Sequence, residues 1–400
     1  MTPWGAVEQW DGLGRIDWFV AADDRWHVPA DEPTVRQRIV DGTPVVETRV
    51  RIPSGDAVQR VYSIADHGGL TIIEVENDSP LPIAVAFTGG EMCAARPATE
   101  VPIHGIDLPG PATTFPVGHR ATLTVAVTHT SSGPRTLPGG LPPAAQVSRG
   151  WLALCDRASR LLLPDAAVVD SVVRARCELL LCGPEEPYSD PGAFLLGVGE
   201  LVRMGGRADD WMPDVAEAVA ALVDRLDDPL LVAALDAAER VCRAADDDRA
   251  ARDLARVRAR LMADRARRDT PVSPSPSGST GARLIATVER SIAAGPVLFA
   301  EGLPEPWLGQ HLEVYGVPTG PASAVSFAVR WHGARPALLW EQTGAAVGLT
   351  APVVAPGWSS AERTGEALWP SPTGAVPDAS LDEVPAVPPT LPDADGISFG

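Results

Sequence analysis

The chain has 400 residues and a net charge of −19, and its basic residues are all Arg. This length exceeds what one hydrophobic core usually serves, so we expect two or three domains. The negative charge argues against a nucleic-acid partner, because phosphate binding needs clustered cations. The lack of Lys excludes a Schiff base, a cofactor aldimine and a phosphate-loop lysine, since Arg stays protonated at any working pH.

Strand patterns without intervening helices fill residues 16–130. Residues 34–63 alternate polar and apolar side chains, as do half-buried antiparallel strands. Two further strands, 70–76 and 83–87, are joined by turn residues that begin at Asn77, and a strand at 121–128 closes the region. Short strands at this spacing predict an N-terminal β-sandwich over residues 1–145. Glu74 and Glu76 share one strand face, and we expect both to face solvent.

The hydrophobic period becomes helical after residue 149. Asp190 and Asp228 precede Pro as N-caps do, and Gly183 and Gly205 lie where helices end. Short connections between helices indicate antiparallel hairpins, so residues 149–268 predict a helical-hairpin domain of three hairpins, an open half-toroid. The six predicted helices are 149–163, 165–182, 190–204, 210–226, 228–245 and 248–268.

The remaining chain is predicted to contain a linker at 269–281, a C-terminal β-sandwich at 282–369 and a disordered acidic, Pro-rich tail at 370–400. The sandwich begins with a short helix near 283–293, followed by strands. These strands are 312–317, 324–331, 336–340 and 346–350. The fold class predicted from the sequence is therefore α+β and multidomain.

Five cysteines, an odd number, form no CxxC motif. Four lie on predicted helices among apolar neighbours, which is typical of buried free thiols in a reducing compartment. A pair such as Cys177 and Cys182 is the alternative, although residues five apart do not share a helical face. With no signal-peptide pattern and no apolar run near the ~18–20 residues of a membrane span, we expect a cytoplasmic protein without a membrane partner.

The order of parts resembles the glucoamylase-like, six-hairpin glycosidase superfamily: a sandwich, then helical hairpins entered through residues 161–165, then a β-domain. The most specific similarity covers residues 306–341, which look like that superfamily's C-terminal β-domain. The resemblance implies a carbohydrate ligand. The superfamily's ring has twelve helices, about twice the number found here, and three hairpins cannot close it. No catalytic carboxylate can therefore be carried over by position.

The loop at 183–190 is the strongest candidate site, because Glu185, Glu186 and Tyr188 lie between two prolines. Glycoside hydrolysis needs two carboxylates, roughly 5–5.5 Å apart for retention or 6.5–9.5 Å for inversion. One of the two glutamates could supply the first of them. The alternative is that both are solvated loop charges near a helix N-terminus, where the helix dipole favours anions.

The tryptophan content is the second indication of a carbohydrate site, because the chain has eleven Trp but only three Tyr and seven Phe. Indole faces stack on the apolar C–H face of a sugar ring. The candidates for contacting a sugar are Trp211, Trp331 and Trp340. The last two lie within predicted strands, so the alternative for them is a position in a sandwich core.

The sequence contains no HExxH, GxSxG, P-loop or complete GxGxxG motif, and we expect no metal and no cofactor. The Arg-rich helix at 248–268 could dock an acidic partner, and a solvated face is the alternative.

The sequence predicts a glycosidase-like protein that associates with carbohydrate, or with another partner, without hydrolysis. The alternatives are a compact glycoside hydrolase that uses carboxylates of the 183–190 loop and a structural protein without a ligand.

Overall fold

The computed structural model describes residues 1–8, 14–98, 111–130, 133–223, 225–268 and 281–372. These residues form seven helices and four sheets, which confirms the α+β class. They divide into two compact units. The first contains Met1–Arg160 and Ala166–Val288, and the second contains Leu161–Asp165 and the described residues from Glu289 on. The finer five-part division and the half-toroid stay predictions, and the proposed linker and tail lie almost wholly outside the described residues.

The helices and strands have the following bounds. The helices are α1 (Ala144–Cys155), α2 (Ala166–Cys182), α3 (Pro191–Arg203), α4 (Met212–Leu222), α5 (Leu231–Ala244), α6 (Asp248–Arg268) and α7 (Gly281–Ile292). The strands are β1 (Val7–Glu8), β2 (Arg15–Ala21), β3 (Trp26–His27), β4 (Arg36–Ile39), β5 (Val46–Ile52), β6 (Gly55–Ile64), β7 (Leu70–Asn77), β8 (Ile83–Thr88), β9 (Cys93–Ala94), β10 (Ala112–Val117), β11 (Thr122–Thr128), β12 (Arg160–Leu162), β13 (Ala293–Ala294), β14 (Val297–Leu298), β15 (Leu312–Gly320), β16 (Ser323–His332), β17 (Arg335–Gly344), β18 (Leu349–Thr350), β19 (Ser359–Ser360) and β20 (Thr364–Leu368).

The first unit begins with two antiparallel sheets. One has the order β1-β2-β8-β10 with β3 beside β2, and the other has the order β4-β5-β6-β7-β11-β9. Alternate residues of both sheets are buried in one shared core, as the period of two requires. Trp18 and Phe87 come from the first sheet, and Ile73 and Val125 from the second. The predicted strands of this region are therefore present, and their apolar faces meet.

The outer face of the six-stranded sheet is covered by α1 and by residues that precede it. Tyr62, Leu70 and Ile72 pack there against Ala144. The expectation that Glu74 faces solvent is wrong, because its side chain is buried beneath the start of α1. Glu76 does remain on the rim, where it forms an ion pair with Arg60 at 2.8 Å. Glu74 is buried because a helix covers this face of the sheet. The periodicity of a strand does not encode such a covering helix.

Several local predictions hold at the level of single hydrogen bonds. Asn77 Oδ1 accepts from the Ser79 backbone N–H at 3.0 Å, which is the expected turn chemistry. Asp190 caps α3 by accepting from the Ala193 N–H at 3.0 Å. Gly183 and Gly205 follow α2 and α3 with φ of 81° and 104°, the left-handed region that helix ends favour.

The predicted helix at 149–163 is wrong at both ends. Helix α1 begins at Ala144 and ends at Cys155, and residues 160–162 form strand β12. Strand β12 is the edge of a sheet in the second unit, beside β15. A short apolar run such as 161–163 has the same appearance in a helix and in a buried strand, so tertiary pairing decides between them.

Helix α3 packs closely on α5 at a glycine. A Cβ at Gly199 would lie 2.7 Å from the Ala237 Cβ, so the two backbones approach nearer than a larger residue permits. The buried Arg176 of α2 donates to Glu200 of α3 at 2.6 Å and to the Ser159 carbonyl at 2.7 Å. These contacts fix α2 against α3 and against the segment that follows α1.

The second unit contains the sheets β12-β15-β16-β17-β20 and β13-β14-β18-β19. Its core holds a chain of edge-to-face aromatic contacts, and Trp369 contacts Phe299 and Trp358 with ring centroids 6.5 Å and 5.3 Å apart. Among the described helices of the protein, none is long and apolar enough to cross a membrane.

All five cysteines are free thiols. Four of them lie in helices, as predicted, and Cys93 lies in β9. The expectation that they are buried fails for Cys182, which is exposed at the end of α2. Cys177 lies beside Cys155 of α1, with 3.7 Å between the two sulfur atoms.

Candidate ligand-binding groove

A groove of about 670 Å³ opens in the first unit where the two N-terminal sheets meet α1 and α2. Its size lies within the range of pockets that hold small ligands, roughly 300–1,000 Å³. Apolar side chains of both sheets, polar side chains and two helical side chains line it. The lining residues are Met1, Val7, Glu8, Ile16, Pro44, Val46, Val61, Tyr62, Ser63, Thr71, Val127, Thr128, His129, Trp151 and Leu181.

A row of three polar side chains runs along one wall. Ser63 and Thr71 are opposite each other on β6 and β7, and their hydroxyl oxygens are 3.1 Å apart. Thr71 Oγ1 lies 2.8 Å from the His129 Nε2 that follows β11. Ser63 is two residues beyond the buried Val61 and therefore points to the same face of the sheet. The row thus continues the inner face of the sheet past the end of the apolar core.

Helix α1 supplies the aromatic side chain of the groove. Trp151 is half-buried and packs against the cluster of Cys155, Val173 and Cys177. The same residue lines the groove. Leu181 of α2 lines the same space and is 60% exposed. The groove therefore has an indole and an aliphatic side chain on its helical side and hydroxyl and imidazole groups on its sheet side.

Charge in the groove is sparse. Glu8 is the one carboxylate among the described lining residues, and no Arg is among them. Such an arrangement suits a neutral, polyhydroxylated ligand better than an anion. In the described part of the chain, no group of three or more His, Cys, Asp or Glu side chains is placed to hold a metal ion.

The candidate residues of the 183–190 loop and Trp211 are not part of the groove lining. Glu185 and Glu186 are exposed, and Tyr188 is 68% exposed and donates its hydroxyl hydrogen to Glu217 of α4. Trp211 packs edge-to-face on Phe194, with 6.2 Å between ring centroids. None of these side chains lines the groove.

The two remaining candidates belong to the second unit. Trp331 is half-buried in β16, and its Nε1 donates to the Gln310 carbonyl at 2.7 Å. Trp340 is 7% exposed in β17 and packs edge-to-face on Trp358, with ring centroids 5.4 Å apart. Trp340 thus fits the alternative interpretation, a core residue, and Trp331 keeps part of its surface accessible.

Sequence reasoning did not identify Trp151, Ser63, Thr71 or His129 as members of one site. Strand alternation places Ser63 and Thr71 on the inner face of the sheet, and this pattern could have identified part of the groove from the sequence. Their proximity to Trp151 depends on the packing of α1 over the sheet, which no local pattern encodes.

Comparison of the chain with protein-family models, with curated proteins and with solved structures gives no match. The chemistry of the groove itself is therefore the basis for a functional conclusion.

Proposed function

We propose that the first unit binds a carbohydrate in the groove and does not hydrolyse it. The observation that carries the proposal is that the Trp151 indole and the Ser63–Thr71–His129 row line the same groove. A sugar ring has an apolar C–H face and a rim of hydroxyl groups. An indole accepts the former, and a row of side chains that both donate and accept hydrogen bonds accepts the latter.

Other ligand classes fit less well. A wholly apolar ligand would remove water from the polar row and offer it no hydrogen bond beyond those that Ser63, Thr71 and His129 form with one another. An anion would meet the Glu8 carboxylate, which already pairs with the Met1 ammonium at 3.7 Å, and no Arg among the described lining residues. The resemblance of residues 306–341 to the β-domain of six-hairpin glycosidases favours the same ligand class.

Binding without cleavage follows from the number of carboxylates. Hydrolysis of a glycoside needs a proton donor and a second carboxylate on opposite sides of the bond. The described lining of the groove offers Glu8 alone. One carboxylate can hold a sugar hydroxyl, but it cannot perform both steps.

Calorimetric titration with a panel of neutral oligosaccharides tests the proposal. We expect at least one sugar to bind, and Trp151→Ala to raise its Kd about tenfold or more, equivalent to a loss of about 1.4 kcal/mol. Trp331→Ala is the matched control, since it removes another half-buried indole in the second unit, and it should leave Kd unchanged. Failure of the whole panel to bind, or loss of binding in Trp331→Ala alone, would reject the groove as the sugar site.

A further inference from the structure

Two thiols lie directly beneath the aromatic wall of the groove. Cys155 of α1 and Cys177 of α2 have their sulfur atoms 3.7 Å apart, and both side chains are buried. Together with Val173 they form a small cluster against which Trp151 packs. Trp151 precedes Cys155 by four residues, so the two side chains lie one above the other on the same face of α1.

The two thiols differ in acidity. The hydrogen bond from Cys177 lowers the pKa of Cys155, and the nearby Arg176 guanidinium acts in the same direction. The same hydrogen bond, together with burial, raises the pKa of Cys177. The hydrogen bond and the Arg176 guanidinium favour Cys155 as the thiolate of the pair, and a thiolate is the nucleophile in oxidation by peroxide.

We propose that Cys155 and Cys177 form a reversible disulfide on exposure to hydrogen peroxide, and that this bond shifts Trp151 and so changes ligand affinity at the groove. The predicted change in affinity rests on the proposed carbohydrate function. Disulfide formation and the movement of Trp151 do not depend on that function.

The reaction balances with one peroxide for each pair of thiols. The Cys155 thiolate attacks one oxygen of the peroxide, the O–O bond breaks, and the leaving hydroxide takes up a proton as water, which leaves Cys155 as a sulfenic acid. Cys177 loses its proton and attacks that sulfur, an S–S bond forms, and the S–O bond breaks to release a second water. The two thiols are oxidised by two electrons, and the peroxide is reduced to two water molecules.

The geometry links this bond to the groove. A disulfide has its sulfurs about 2.05 Å apart, so the observed 3.7 Å must shorten by about 1.6 Å. Helix α2 is held against α3 by the hydrogen bond from Arg176 to Glu200, so we expect α1 to make most of the adjustment. Trp151, one turn away on α1, moves with it.

Mass spectrometry of the whole protein after treatment with peroxide and alkylation tests bond formation. We expect two of the five thiols to be lost, with tryptic peptide 150–157 joined to peptide 177–203. Because the second peptide contains both Cys177 and Cys182, further cleavage after Glu178 distinguishes them. Cys182→Ser, which removes the exposed thiol, should form the same bond. Retention of all five thiols, or a link through Cys182, would overturn the proposal.

Tryptophan fluorescence then tests the movement without any ligand. Oxidation of wild type should change the emission, and the difference should disappear in Trp151→Phe. In the ligand arm, we expect oxidised protein to bind the sugar with about fivefold altered affinity, restored by dithiothreitol. A disulfide with unchanged emission would overturn the switch. If the reduced protein binds no sugar, the carbohydrate proposal fails, and the fluorescence result decides the switch independently.

Discussion

The Glu74 carboxylate accepts a hydrogen bond from the Ala144 backbone N–H at 3.2 Å, across 70 residues of chain. Strand β7 thereby supplies a cap for α1, whose own N-cap residue, Pro143, has no side-chain donor or acceptor. Tyr62 Oη lies 2.8 Å from the same carboxylate oxygen. This contact sets where α1 begins on the sheet, and α1 carries both Trp151 and Cys155.

Replacement of Glu74 by Ala should therefore destabilise the first unit and weaken the groove. We expect a loss of about 2 kcal/mol in the free energy of unfolding, because a helix cap is removed and the Tyr62 hydroxyl keeps only the Pro142 carbonyl, at 2.8 Å, as a partner. Urea unfolding measures the change. Glu76→Ala, on the same strand but in a partly exposed ion pair, should cost less than about 1 kcal/mol. Equal effects of the two variants would contradict a capping role for Glu74.

A second prediction concerns the acid limb of stability. Burial raises the pKa of Glu47, but hydrogen bonds from Arg38, Arg49 and Arg60 outweigh it and lower the pKa from 4.5 to about 2. The carboxylate therefore contributes stability that is fully present above about pH 4.5 and is lost as pH falls towards 2.

Urea unfolding at several pH values tests this contribution. Glu47→Gln should be less stable than wild type by about 2 kcal/mol at pH 7. The difference between the two proteins should shrink between pH 4.5 and 2. Asp17→Asn, which alters a partly exposed pair with Arg15, is the control. A constant difference between wild type and Glu47→Gln at all pH values would disprove the assignment.

A third prediction concerns the attachment of α7. The Arg283 guanidinium forms paired hydrogen bonds with Asp190, at 2.7 and 2.8 Å, and with Asp228, at 2.8 and 3.2 Å. The hydrogen bonds from Arg283 hold the pKa of Asp190 below its ordinary value. One side chain of α7 thus binds the residue that caps α3 and a residue just before α5.

Arg283→Ala should lower the free energy of unfolding by about 2 kcal/mol, because two partly buried carboxylates lose their partner. Arg283→Lys should recover only part of this loss, since an ammonium cannot form two paired contacts. Arg256→Ala, in an exposed ion pair on α6, should change stability by less than about 0.5 kcal/mol. Full recovery in Arg283→Lys would show that charge alone, without paired geometry, is sufficient.

A fourth prediction separates binding from hydrolysis. Aryl glycosides and α-linked disaccharides incubated with wild type should show no turnover above buffer, since general acid–base catalysis contributes about 10²–10⁴-fold and needs its pair of groups. The double variant Glu185→Gln/Glu186→Gln should bind sugar as wild type does, because neither residue lines the groove. Turnover by wild type that the double variant abolishes would instead support the hydrolase that uses the 183–190 loop.

The sequence alone determined the properties that depend on a few neighbouring residues. The alternation in 34–63 and the apolar run at 70–76 predicted strands that the structure contains as β4 to β7. Asp190 and Gly183 predicted helix ends because a capping oxygen or a left-handed glycine acts within one turn. The class α+β followed from where the period changes.

Only the tertiary structure decided which of these elements meet. The start of α1 depends on Glu74, the strand at 160–162 depends on a sheet of the second unit, and Cys177 lies beside Cys155 instead of Cys182. Trp151 lies in the same groove as Ser63 and His129 for the same reason. A periodic pattern states which face of an element is buried, but the partner of that face is chosen by packing between distant segments, and the groove exists only where such segments converge.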